Sequence, residues 1–203
     1  MKIKLIEISI ILSLFICVIS CLSFEKDCDS IREKVLRLHV IANSDSEADQ
    51  NLKLKVRDRI IEESGELFTV CESREEAERN LKKSLGKLQS ITEEVIKKEG
   101  STATVEVRAE PSYFPVKAYE DFTLPAGTYS SLKVIIGEGK GKNWWCVLFP
   151  PLCLPAAEKR DDILSGVLSE KELKLVSSKP QYEVRFWLYE KLQEIKISYK
   201  SKG

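Results

Sequence analysis

The sequence predicts an α+β fold, a mainly antiparallel sheet with two or three helices packed on one face. Two patterns carry this expectation. Apolar and polar residues alternate over residues 35–42 and 103–109, the period of half-buried strands. Over residues 46–63 and 73–100 apolar residues instead recur every three or four positions, the period of helices lying on a core. The order β-α-α-β-β-β plus a C-terminal element, without a repeat or long linker, gives one domain over residues 30–196.

The first element precedes that domain. Lys2 and Lys4 supply a basic start, residues 8–20 (ISIILSLFICVIS) are uncharged and apolar, and the small residues Ser20, Cys21 and Ser23 follow. This is the layout of an export signal, and residues 1–23 form a signal peptide or an N-terminal anchor. Three forms stay open. Val18-Ile19-Ser20 before Cys21, or Cys21-Leu22-Ser23, suits a cleaved signal; the same Cys21 suits a lipidated one; and an uncleaved anchor is the third. The uncharged run from Ile8 to Phe24 makes about 26 Å of helix, short of the roughly 30 Å hydrocarbon core, so an anchor needs snorkelling or local thinning. All three put the domain outside the cytoplasm, with membrane contact only through this segment if it is retained.

Within the domain, Leu36, Leu38, Val40 and Ala42 share one strand face and Arg37 and His39 the other, a strand with one buried side. Asn43-Ser44-Asp45-Ser46 reads as a turn into a helix N-cap at Ser46. That helix buries Leu52, Val56 and Ile60 and is expected to end at Ser64-Gly65. A second helix starts near Ser73, buries Ala77, Leu81, Leu85, Leu88, Ile91 or Thr92, and Val95, and closes at Gly100. The strand at 103–109 is interrupted by Pro111 and Pro115. The strands Tyr129–Ile136 and Trp144–Phe149 are joined by the glycine-rich residues 137–143, and Pro150-Pro151 stops the second of them. A short helix is expected near Asp161–Leu168, an amphipathic helix over Tyr182–Ile195 (of which Tyr182–Phe186 also reads as a strand), and a frayed tail over 197–203.

Composition excludes several functions. Lys and Arg balance Asp and Glu at 32 each, and loss of Lys2, Lys4 and Glu7 with the export segment leaves a net charge near −1. Nucleic-acid binding, which needs a basic stripe, has no support. No C-x-x-C spacing occurs among the six cysteines, so neither a zinc ribbon nor a thioredoxin-type motif is present. In an oxidising compartment Cys146 and Cys153 are the natural disulfide pair, a loop closure worth about 2.5 kcal/mol on the chain-entropy model; two small buried thiols are the alternative.

Catalytic candidates are few. The single histidine, His39, could serve one acid–base step with Asp45 or Asp49 orienting it, as in an exported cell-wall hydrolase. No G-x-S-x-G or H-E-x-x-H string accompanies it, and a structural strand histidine explains it as well. Asp45-x-Glu47-x-Asp49 lacks the glycine and distal glutamate of a calcium loop, so no metal is expected. Gly137-x-Gly139-x-Gly141 leads into Trp144-Trp145 rather than into a helix N-terminus, which favours a hairpin over a phosphate site. No cofactor motif appears. Adjacent strand tryptophans face opposite sides, and one of Trp144 and Trp145 beside the rigid Pro-Pro corner is a candidate partner hot spot.

Two long segments carry a resemblance. Leu36–Ser46 (LRLHVIANSDS), continuing through Asp49-Gln50 and Leu52–Asp58, resembles the opening signature of the stage II sporulation protein R family. Pro125–Tyr129 (PAGTY), Leu132–Val134, Gly137–Gly139 and Asn143–Cys153 (NWWCVLFPPLC) resemble its second, and Glu183–Phe186 also fits. The likeness spans roughly residues 34–194. It implies an exported signalling protein made in the forespore and delivered between the two forespore membranes. There such proteins trigger a membrane-embedded aspartic protease, which removes the pro-sequence of the mother-cell sigma factor. The resemblance implies no catalytic residue. His39, Asn43, Ser44 and Asp45, with Gly139, Trp144 and Trp145, are carried over as candidates for partner contact or for fold. A lipid-anchored wall or peptide binder is a third reading.

Overall fold

A computed structural model describes residues 2–153, 160–177 and 191. Helix α1 runs unbroken from Lys2 to Lys34, joining the apolar N-terminal segment to the first strand. Every residue from Ile6 to Ser23 is exposed, and packing against the domain begins at Phe24. By length and composition Ile6–Lys34 is apolar enough to cross a membrane, which fits a signal peptide or anchor. Its last turns belong to the domain: Cys28, Ile31 and Val35 just beyond it are buried, and Arg32 Nη1 donates to the Ala126 carbonyl at 3.1 Å.

After α1 come β1 (Leu36–Ile41), α2 (Glu47–Thr69), α3 (Arg74–Lys98), β2 (Val105–Phe114), β3 (Lys117–Ala118), β4 (Thr123–Leu124), β5 (Gly127–Ile136), β6 (Asn143–Phe149), α4 (Arg160–Val167) and α5 (Glu170–Val176). The main sheet has the order β2-β5-β1-β6, so β1 lies between β5 and β6 and the glycine-rich residues 137–143 cross over its end instead of closing the expected hairpin. Two of its three pairings are antiparallel and β1 lies parallel to β5. The chain is therefore α+β with a mainly antiparallel sheet, and β3–β4 form a small second sheet. The helix expected over Tyr182–Ile195 and the tail at 197–203 lie outside the described residues.

Helices α2 and α3 cover one face. Leu36, Leu38 and Val40 of β1 and Leu132, Val134 and Ile136 of β5 meet Val56, Ile60, Leu81 and Leu88 there. Both helices start as read, Ser46 accepting from Asp49 N and Ser73 from Glu76 N. Helix α2, however, does not stop at Ser64-Gly65 but continues to Thr69. Phe68, two turns beyond Ile60, is buried in the same core. Burying a phenylalanine is worth about 2–3 kcal/mol, against about 1 kcal/mol for a glycine inside a helix.

The opposite face carries a layer that the alternation of β1 does not announce. Ile31 and Val35, Phe122 and Leu124 of the small hairpin, and Leu164, Leu168 and Leu175 of α4, the turn after it and α5 close over Phe114, Tyr129 and Val147. Strand β1 is thus buried on both sides, with Arg37 wholly covered and His39 9% exposed. Helix α5 opens with a capping box at Ser169 and Glu172, and Glu172 ties it to α1 by accepting from Ser30 Oγ and Lys34 Nζ, both at 2.6 Å. Lys171 adds a bond to Asp27 at 2.8 Å.

Strand β2 also runs through Pro111 instead of breaking there. It is an edge strand, and the Gln89 side chain holds its outward Val105 carbonyl (2.9 Å) and Val107 amide (3.0 Å). Antiparallel alternation then aims position 111 outward as well, where a missing N–H costs no ladder bond.

Candidate functional site

The two signature-like segments meet at the end of the sheet where β1 and β5 finish and β6 begins. Parallel pairing of β1 with β5, Ile41 opposite Ile135, brings the loop after β1 beside the loop after β5. Asn43 fastens them. Its Oδ1 accepts from the Glu138 amide at 3.0 Å, its Nδ2 donates to Asp49 Oδ2 at 2.9 Å, and its carbonyl accepts from Lys140 N at 3.1 Å. Gly137 (φ +56°) adopts a left-handed conformation that favours glycine, and a Cβ there would strike the Asn43 side chain. Gly139 (φ +62°) completes the turn over Ile135.

Ser44 and Asp45 extend the clasp. Ser44 Oγ donates to Asp49 Oδ2 at 2.5 Å, and Asp45 Oδ1 accepts from Lys142 N at 2.8 Å. The bonds from Ser44 and then Asn43 hold the Asp49 carboxyl below the usual carboxylate range. Helix α2 contributes a polar stripe beside its apolar one, with Asp49, Lys53 and Arg57 four residues apart. Lys53, nearly buried, donates to Gln50 Oε1 at 2.5 Å and to the Lys142 carbonyl at 3.0 Å. Burial lowers its pKa. Arg57 lies over the Trp144 ring at 4.2 Å. Sequence reasoning singles out neither Lys53 nor Arg57 and does not join them to Asp49, although the four-residue spacing of the three is there to read.

The tryptophans point to opposite faces. Trp144 is 36% exposed on the α2 side, and Trp145 packs with the second layer, its ring 6.0 Å from that of His39. His39 is joined to the clasp only through Asn143, at 2.8 Å from Nε2 to Oδ1. Burial lowers its pKa and favours the neutral ring. Asp45 and Asp49 are engaged by Lys142 N, Ser44 and Asn43 instead, so the His–carboxylate pair on which the hydrolase reading rests is not assembled. Among the described residues no group of three His, Cys, Asp or Glu stands where it could hold a metal ion. Cys146 and Cys153 are joined as a disulfide behind the clasp, with Val147 N donating to Cys153 Sγ at 2.9 Å. Ser20 and Cys21 lie exposed on α1, away from this cluster in sequence.

The geometry is that of a cross-braced surface with an exposed aromatic on a cation. Such a surface can present shape and hydrogen-bonding groups to a protein.

Comparison with known proteins matches the family model described as Stage II sporulation protein R over residues 32–159. The chain is 34% identical over 185 residues to the protein named Stage II sporulation protein R of Bacillus subtilis (strain 168), covering 81% of this chain and 83% of that one. No solved structure gives a significant match.

Proposed function

This chain belongs to the stage II sporulation protein R family and is thereby a sporulation protein; from that premise we propose that it is an exported signal rather than an enzyme. In this reading it leaves the forespore through its N-terminal segment and enters the space between the two forespore membranes. It activates a membrane-embedded aspartic protease there, which then processes the mother-cell sigma factor precursor. The observation that carries the proposal is the family match over the folded domain directly behind an exposed apolar helix. The separation of His39 from Asp45 and Asp49 supports a binding role over a hydrolytic one.

The contact surface in this reading is the clasp together with Trp144. Strand β1 leaves α1 at one end of the sheet and, after its six residues, about 20 Å at a strand's rise, delivers the chain to Asn43 at the other. A domain still tethered by α1 would therefore hold the clasp at the far end of β1 from its tether. Co-producing the protease and its precursor in a non-sporulating host, with and without this chain, tests the function. Precursor cleavage is expected only in its presence, and equal cleavage in both removes the proposal.

A further inference from the structure

Away from the clasp, buried polar atoms without a hydrogen-bond partner gather in one place. Among the described residues they include Arg37 Nε and Nη1, His39 Nδ1 and Trp145 Nε1, all on the second face of the sheet. Folded proteins leave few such atoms, and a guanidinium, which stays protonated in any protein, is the most costly of them to strand. Arg37 is wholly buried. Its guanidinium stacks over Phe114 at 4.1 Å and Tyr129 at 4.9 Å, and Nη2 donates to the Tyr119 hydroxyl at 2.6 Å. Those contacts recover part of the lost hydration and, among the described residues, leave the charge without a counter-charge.

The surroundings add a second cation. Lys117 Nζ stands 5.9 Å over the Trp145 ring, and the Tyr119 hydroxyl also reaches the Trp145 carbonyl at 3.4 Å. Among the described residues neither Arg37 nor Lys117 pairs with a carboxylate. Glu110, on the same side of the sheet, is taken by Lys133 at 3.0 Å. His39 Nδ1 is an acceptor when Nε2 donates to Asn143, and in that tautomer it offers nothing to an anion.

We propose that Arg37, Trp145 and Lys117 form a binding site for a carboxylate, enclosed by the β3–β4 hairpin. Arg37 and Trp145 offer N–H groups to its oxygens, and its charge compensates a buried cation that water alone would leave unbalanced. The hairpin is a two-stranded sheet separate from the main one and carries both Lys117 and Tyr119. Lifting it uncovers Arg37, and a lone two-stranded hairpin is held only marginally by its own bonds. The site is independent of the signalling role.

The test is the thermal unfolding midpoint of the full chain in detergent, in sodium acetate against sodium chloride at equal ionic strength. Acetate is expected to raise Tm above chloride by about 3–6 °C at a tenfold excess over its Kd. Lys117→Met and Trp145→Phe, which keep the hairpin stem and the ring, reduce that excess, and Arg37→Met abolishes it. Should Arg37→Met fail to fold, the other two variants carry the test. A blocked Ala-Glu-Ala peptide acting at lower concentration than acetate assigns the carboxylate to a polypeptide; acetate acting at the lower concentration assigns it to a small molecule. The same Tm in acetate and chloride overturns the proposal, as does an undiminished acetate response in both the Lys117 and Trp145 variants.

Discussion

Asn43 accepts the Glu138 amide at 3.0 Å across a gap of 95 residues in the chain, while its own amide group holds Asp49 at the start of α2. One side chain thus braces three segments, the loop after β1, the loop after β5 and the first turn of α2. The same oxygen that takes the Glu138 amide fills the space where a side chain on Gly137 would sit.

That crowding makes Asn43 and Gly137 a coupled pair. Asn43→Ala removes two side-chain hydrogen bonds and should cost about 1–3 kcal/mol. Gly137→Ala imposes a left-handed alanine, at about 1–2 kcal/mol, plus the clash with Asn43. In the double variant the contacts with Asn43 Oδ1 and Cγ are gone, so the two costs should sum to more than the combined loss. Urea unfolding of the four proteins reads the coupling, and strict additivity would show that the clasp is looser than described.

Glu172 sets an acid limit on the layer that joins α1 to α5. Burial works to raise its pKa, but hydrogen bonds from Lys34, Ser30 and Ser169 outweigh it and hold the carboxyl at about 2. A folded pKa below the ordinary value of 4.5 means that its stabilisation is fully present above about pH 5 and lost as pH falls toward 2. Wild type and Glu172→Gln should therefore differ most in Tm above pH 5 and converge below it. A difference independent of pH over that window contradicts the assignment.

The end of α1 is expected to behave as domain rather than as leader. Ile31→Ala, at a wholly buried position of the second core, should destabilise by about 3 kcal/mol. A chain beginning at Phe24 should fold, whereas one beginning at Leu36 loses Cys28, Ile31 and the Ser30 and Lys34 bonds to Glu172 and should not. Circular dichroism with urea titration distinguishes these outcomes.

Gln89 protects the β2 edge. Gln89→Ala frees the Val105 carbonyl and the Val107 amide, and unpaired edge groups recruit further strands. The variant should lose about 1–2 kcal/mol and self-associate in sedimentation velocity at concentrations where the wild type does not.

The clasp was half legible in the sequence. Ser46 and Ser73 announced both helix starts because a capping side chain sits beside the turn it satisfies. Asn43, Ser44, Asp45 and Gly139 stood out as polar and glycine residues between apolar runs. Their union across the parallel β1–β5 pairing did not, because register between distant strands leaves no local trace. Arg37 and His39 read as the solvent face of a strand, since alternation reports one covered side and is silent about a second layer. The end of α1 was hidden among charges at 25–34, although Cys28, Ile31 and Val35 keep helical spacing. Ser169-x-x-Glu172 is a capping signature that marks the start of α5, a helix the expected elements do not include.

That this sporulation protein acts by switching on a protease is tested most directly with purified components. The measurement is the rate of precursor cleavage by the membrane-embedded protease in vesicles, with the full chain or its exported domain added to the face that the signal reaches. Cleavage is expected to depend on the added chain, to persist when His39 is replaced by Gln, and to fall when Trp144 is replaced by Ala. Cleavage at the same rate without the chain, or loss of all effect with His39→Gln in a folded protein, would contradict it.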